Sequence, residues 1–251
     1  MNVTKKDIVD GLKNLFPVEN PTMLVHSSLK SFGTVDGGAD TVIDALLEVA
    51  GMGTVVVPTL TFGSVDESAP FFDVRNTRSD TGYITEVFRK LPDSRRSRHV
   101  TSSAAANGPQ AEYMTSGHMS TPGNETSPYW RIMDFDGYVL FLGAKFGSNT
   151  LFHCAEEAVN PHYMRYKTIE NARIIDQNNN EFIHNFIRYN CGQTGINRHL
   201  MNMEPVFRDR GVIKDMQIGN SHVMLIRAID NFEISCEILI NNPDYILQKR
   251  V

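Results

Sequence analysis

Apolar and polar positions along the chain fall into two alternating rhythms. Ile8, Leu12, Leu15 and Phe16 recur at helical spacing behind a Thr4/Asp7 capping signal, which predicts an amphipathic helix ending before Pro17. A short apolar run at 23–25 then leads into the polar turn His26-Ser27-Ser28 and a loop punctuated by Gly33, Gly37 and Gly38. Helical periodicity returns through Val42, Ala45, Leu46 and Val49, and Gly51 and Gly53 close that helix before the β-branched run 54–57. Residues 23–57 therefore read as a β-loop-α-β unit.

Residues 60–80 carry no periodicity, and a loop of that length is more often functional than idle. A helix is predicted within 82–91. The basic run Arg95, Arg96, Arg98 and His99 follows, then the small-residue tract 101–108, with Pro109 placed to open another helix. A continuous apolar strand is predicted at 138–142, stopped by Gly143, and Asn149 or Thr150 is placed to cap a helix through 151–159. Beyond Pro161 the pattern becomes hairpin-like, with strands at 172–176 and 182–189 flanking Asn178-Asn179-Asn180. A helix at 196–203, strands at 213–218 and 222–227, and a closing helix at 230–240 complete the chain. Strands interleaved with helices predict an α/β fold, and ligands in such sheets sit outside the strand C-terminal ends.

Composition narrows the function classes. A chain of 251 residues lies near the upper size for one core, so a single domain over 1–251 is expected. An apolar fraction of 41% and a charged fraction of 21% describe an ordinary globular chain. A net charge of -5 offers no basic surface for nucleic acid. Three cysteines, Cys154, Cys191 and Cys236, lack metal-type spacing and fit a reducing cytoplasm. No secretory leader is evident at 1–16, and no apolar stretch approaches the roughly 20 residues needed to span a bilayer, so a cytoplasmic protein with no membrane partner is expected.

The sharpest chemistry lies in Asn149-Thr150-Leu151-Phe152-His153-Cys154-Ala155-Glu156-Glu157. His153 falls in the first turn of the predicted helix, and Glu156 three residues later shares its face, so a carboxylate can orient the imidazole. An amine must shed a proton before it attacks an acyl carbon, and histidine is the natural acceptor of that proton. Two other readings stay open: a metal-dependent hydrolase built on His153, Glu156 and His162, and a non-catalytic carbohydrate-binding protein. Cys154 beside a histidine suggests a nucleophile, but neighbouring helical residues point about 100 degrees apart, which aims His153 poorly at it. The loop from His26 to Gly38 offers backbone N–H groups for a pyrophosphate or an amide, with Ser27, Ser28, Gly33, Thr34 and Val35 as candidate contacts. Arg95, Arg96 and Arg98 are candidate partners for phosphates.

Taken in order, these pieces resemble the aminoglycoside 3-N-acetyltransferase family, which is distinct from the histone-acetyltransferase-like superfamily. The marks are Val25-His26-Ser27-Ser28-Leu29 with Gly33-Thr34-Val35-Asp36-Gly37-Gly38, then Gly53 to Thr59, then Arg95-Arg96-Ser97-Arg98-His99 leading to Ser103-Ala104-Ala105, then Ser127-Pro128, Gly137 to Gly143, and the His153 segment. The resemblance implies an α/β/α sandwich around a mixed, largely parallel sheet with an antiparallel hairpin region toward the C-terminus. It also implies acetyl-CoA as co-substrate, no metal, direct transfer to an amine, and a small acceptor: an aminoglycoside or an amino sugar, with a nucleotide-linked sugar among the options. His153 is implied as general base with Glu156 orienting it. The donor would be held by His26, Ser27, Ser28, Leu29, Gly33, Thr34, Val35, Thr59, Arg96, His99, Ser102, Ser103 and Gly108. A homodimer is compatible with the resemblance.

Overall fold

The computed structural model describes residues 2–65 and 67–247. Seven strands form the central sheet: β1 (Met23–Ser27), β2 (Val55–Pro58), β3 (Arg95–Arg96), β4 (Ala104–Asn107), β5 (Tyr138–Leu142), β6 (Lys214–Ile218) and β7 (Ser221–Arg227). Their spatial order is β6-β7-β5-β1-β2-β4-β3.

The sheet is mixed, as expected, but it is not largely parallel. Only the junctions of β1 with β2 and with β5 are parallel, whereas β2–β4, β4–β3, β5–β7 and β7–β6 are antiparallel. Two features invert the balance. The alanine-rich tract 104–107, too small in side chain to read as a strand, pairs antiparallel with β2, and β7 returns from β6 through a tight turn at Gly219.

Alternate residues of the central strands face opposite layers, as a pleated strand requires. Met23, Val25, Val55, Val57, Leu140 and Leu142 pack with helices Lys5–Leu15, Gly38–Ala50 and Tyr83–Phe88. Leu24, Val56, Val139 and Phe141 pack on the other side with helices that include Phe152–Val159 and Ala228–Asn241. The expected three-layer α/β/α sandwich follows. The first helix begins with the anticipated capping box, Thr4 and Asp7 exchanging side-chain and backbone hydrogen bonds.

The hairpin is present as Tyr166–Ile175 and Glu181–Tyr189, and Phe71–Asp73 from the long loop joins it as a third strand in parallel with the first. This small sheet has its own apolar cluster, including Phe72, Ile169, Ile174 and Phe186. Two local expectations need correction. Helix Phe152–Val159 has no side-chain cap from Asn149 or Thr150, because the Asn149 amide turns inward to donate to Asn231 Oδ1 at 2.9 Å. The helix expected at 196–203 is a 3-10 turn, Leu200–Met203, followed by helix Glu204–Asp209, whose first turn contains Pro205.

Among the described residues, no helix is long and apolar enough to cross a membrane.

Candidate active site

Because β1, β2 and β5 run parallel, their C-terminal ends meet at one edge of the sheet, and a cavity of about 1050 Å³ opens there. Ser27 and Pro58 contribute the strand ends, Thr150 and His153 the start of a helix, Tyr189 the hairpin, and residues within 60–62, 80–85 and 191–200 much of the remaining wall. That volume lies at the upper end of the roughly 300–1,000 Å³ common for small-molecule sites.

His153 occupies the first turn of helix Phe152–Val159, and its Nδ1 lies 2.7 Å from Glu156 Oε2. Glu156 is fully buried and is itself pinned: Tyr163 donates to Oε1 at 2.9 Å, and Arg198 donates to Oε2 at 2.5 Å. Burial acts to raise the Glu156 pKa, but the His153 hydrogen bond and the Arg198 guanidinium outweigh it and hold the carboxyl below its ordinary range. A carboxylate in that state accepts, so Nδ1 of His153 carries the proton and donates. In the neutral tautomer this hydrogen bond selects, Nε2 is the proton-accepting nitrogen, and the side chain is partly exposed in the cavity wall.

A second carboxylate builds the frame. Glu157 Oε1 accepts from Gly123 N at 2.6 Å and from Tyr189 OH at 2.5 Å, and Oε2 accepts from Thr121 Oγ1 at 2.5 Å. The Tyr189 ring sits 5.0 Å from the His153 ring, and its hydroxyl reaches the His153 carbonyl at 3.3 Å. Gly123 packs so closely that an added Cβ would lie 2.9 Å from the His153 carbonyl, so the loop tolerates no side chain there. Helix, loop and hairpin are thus tied at the base of the cavity.

Of the residues that the resemblance assigns to the donor, His26, Ser27 and Ser102 line the same cavity as His153. His26 stacks on Phe141 at 5.2 Å and accepts the Thr150 N–H at 3.4 Å. Burial pushes its pKa down to about 3, so it stands as a neutral imidazole. Ser27 Oγ is buried at the cavity wall with no hydrogen-bond partner, an orphan that a donor carbonyl or amide can satisfy. The residues present therefore fit a thioester carrier at this end of the cavity.

The other assigned residues lie elsewhere. Ser28, Leu29 and Gly33 belong to the turn after β1, with Leu29 packed toward the core, while Thr34 and Val35 pair with the N-terminal segment Asn2–Val3. Thr59, Arg96 and Ser103 form a closed node behind the wall: the Arg96 guanidinium donates to Thr59 O at 2.8 Å, Thr77 O at 2.6 Å, Thr59 Oγ1 at 3.0 Å and Ser103 Oγ at 3.1 Å. Its face also covers Phe72 at 4.8 Å. Arg96 is 4% exposed and fully bonded, so it is spent on holding loops together and not on a phosphate. Arg95 pairs with Glu112, and Arg98 lies over Phe182. His99 accepts from Ser102 N at 3.1 Å and its Nε2 contacts Ile187 O at 3.0 Å, which fixes the Ser102 backbone against the hairpin. At Gly108, φ is +130 and an added Cβ would sit 2.5 Å from Gly53 O, a packing constraint.

The hydrolase reading fails on geometry. His162 is exposed, pairs with Asp244 at 3.2 Å and is absent from the cavity wall, and among the described residues no three His, Cys, Asp or Glu side chains are grouped to hold a metal. Cys154 is fully buried and burial pushes its thiol pKa up, so it is no nucleophile. Sequence reasoning missed Arg198, Tyr163 and Tyr189, whose roles arise only when the hairpin and the 191–200 segment fold over the helix.

A sequence profile of the aminoglycoside 3-N-acetyltransferase family matches residues 24–239. The chain belongs to that family. Among curated relatives, the SPbeta prophage-derived aminoglycoside N(3')-acetyltransferase-like protein YokD of Bacillus subtilis is 36% identical over 175 residues, an alignment covering 61% of this chain and 64% of that protein, just under two thirds of its length. A solved structure of the aminoglycoside acetyltransferase AAC(3)-IVa, a histidine-to-alanine variant in complex with a gentamicin, superposes with a TM-score of 0.83 at 26% identity, covering 99% of this chain and 92% of that one. The binary structure of AAC-IIIb with CoASH has a TM-score of 0.83 at 22% identity over 100% of both chains, which establishes a shared fold.

Proposed function

We propose that the protein transfers an acetyl group from acetyl-CoA to the amine of an aminoglycoside or amino sugar, with His153 as general base and Glu156 as its orienting and charge-balancing partner. The observation that carries this reading is the imidazole itself: Nδ1 is bonded at 2.7 Å to a buried carboxylate, and the ring borders a cavity of about 1050 Å³ that Ser27 and Ser102 also line. Acetyl-CoA would supply an activated acetyl carbon. His153 Nε2 takes the proton released as the amine nitrogen bonds to that carbon, and it returns the proton to the sulfur when the carbon–sulfur bond breaks. The ionised Glu156 stabilises the transient imidazolium, and Arg198 and Tyr163 keep Glu156 ionised and still. Ser27, His26 and Ser102 hold the carrier. Family membership, a relative solved with CoASH and another solved with a gentamicin support the same assignment.

The test is release of free thiol from acetyl-CoA in the presence of aminoglycosides and amino sugars, with the acetylated product identified by mass spectrometry. Binding of a sugar without thiol release would favour a non-catalytic carbohydrate-binding protein.

A further inference from the structure

A buried contact behind the cavity bears on how the base is aimed, and this step rests on the acetyl-transfer reading. We propose that Asn231, which is absent from the cavity wall, is a positioning residue: through Asn149 it sets the backbone that fixes His153 relative to His26. Asn231 lies in the first turn of helix Ala228–Asn241 and is fully buried. Its Oδ1 accepts from the side-chain amide of Asn149 at 2.9 Å, and Asn149 is part of the wall. The planar peptide joining Asn149 to Thr150 carries the Thr150 N–H, which donates to His26 Nε2 at 3.4 Å. On the other side of the same residue, Thr150 O accepts from His153 N at 3.1 Å. His26 is held separately by its stack on Phe141, so a displaced Thr150 moves His153 relative to it.

The contact is a poor source of stability. Asn149 Oδ1, Asn231 Nδ2 and, one turn further along the helix, Ser235 Oγ are buried with no hydrogen-bond partner among the described residues. The two helices that meet here belong to one apolar cluster, which includes Leu151, Phe152, Ala228 and Ile234. Each polar atom orphaned in such a layer opposes folding, and a pair of leucines of similar shape would serve stability as well or better. Leucines would not supply direction. A hydrogen bond fixes distance and angle, whereas apolar contact tolerates sliding and rotation. General-base catalysis depends on that direction, since a misplacement of about 1 Å can cost about 100-fold in rate.

Steady-state thiol release, calorimetric binding of acetyl-CoA and denaturant unfolding are compared for the wild type, Asn231→Leu, Asn149→Leu and the double variant. The expected kcat is about tenfold below wild type in each single variant and no lower in the double, because the two residues act as one unit. Acetyl-CoA affinity should stay within about threefold. The double variant, with neither carboxamide left to be satisfied, should unfold at or above the wild-type denaturant midpoint. Turnover and stability then move apart, which a merely structural contact would not produce, and the double variant carries the test if a single one fails to fold. A double variant with kcat within about threefold of wild type, or single losses that multiply in the double, overturns the proposal and leaves acetyl transfer standing. No thiol release by the wild type with any aminoglycoside or amino sugar overturns acetyl transfer and this proposal with it.

Discussion

Two charged side chains are withdrawn from solvent beside the cavity, Glu156 at 0% exposure and Arg96 at 4%, and they are satisfied in different ways. Glu156 is bonded by groups that are cationic or strongly polar, and two of them, His153 and Arg198, line the cavity. Arg96 is bonded by neutral oxygens from Thr59, Thr77 and Ser103, and burial with no carboxylate partner pushes its pKa down. A charge whose partner can gain a proton is equipped for chemistry. A charge ringed by carbonyls and hydroxyls fixes the chain that supplies them. Both residues sit in motifs that resemble the family, and only their surroundings separate the two roles.

The comparison can be tested from its strongest consequence downward. Replacing His153 with alanine should cut kcat roughly 100-fold or more with acetyl-CoA affinity nearly unchanged, measured by thiol release and by calorimetric titration of CoA. Arg96→Met should act on the other axis: it removes the guanidinium from four acceptors, of which Thr59 O keeps only Ser103 Oγ as donor, and should cost on the order of 3–5 kcal/mol in denaturant unfolding, with kcat of the folded fraction within about threefold of wild type. A loss of kcat in folded Arg96→Met equal to that of His153→Ala would erase the distinction.

The buried histidines give an intermediate effect. Burial pushes His26 down to about 3 and His99 down to about 4, and it holds His118 well below its ordinary value, so the unfolded chain binds protons that the folded chain refuses. Their contribution is complete above about pH 6.5 and is lost as pH falls toward 4, at about 1.4 kcal/mol per pH unit for each histidine. Glu156, whose pKa is lowered, keeps its contribution until about pH 4, so unfolding midpoints between pH 6.5 and 5 report the histidines. A midpoint that stays flat over that range would show these rings to be hydrated. The smallest effect is expected for Cys154→Ala, with turnover within about twofold of wild type because a buried thiol takes no part.

Much of this arrangement was legible in the residue pattern. The unit from Met23 to Val57, the Thr4 capping box, the Asn178-Asn179-Asn180 hairpin and the pairing of His153 with Glu156 are all local, set by spacing within a few residues. Strand β4 was not, because Ala104-Ala105-Ala106 has no β-branched side chain; it is a strand through its ladder with β2 in a crowded layer. Arg96 drew attention as a phosphate ligand because charge in a motif resembles function, and only its burial reveals a structural role. Arg198 was invisible for another reason: it lies 42 residues from Glu156 along the chain, and no periodicity links the two.

The Glu157 clasp bears on how the reaction cycles. The carboxylate joins the helix that holds the base to the Thr121–Gly123 backbone and to Tyr189 at the end of the hairpin. A swing of the hairpin must either carry His153 with it or break the Tyr189 tie, so the geometry of the base does not depend on a closing step. On the proposed reading, acceptor and product would pass a wall that this clasp ties to the helix carrying His153.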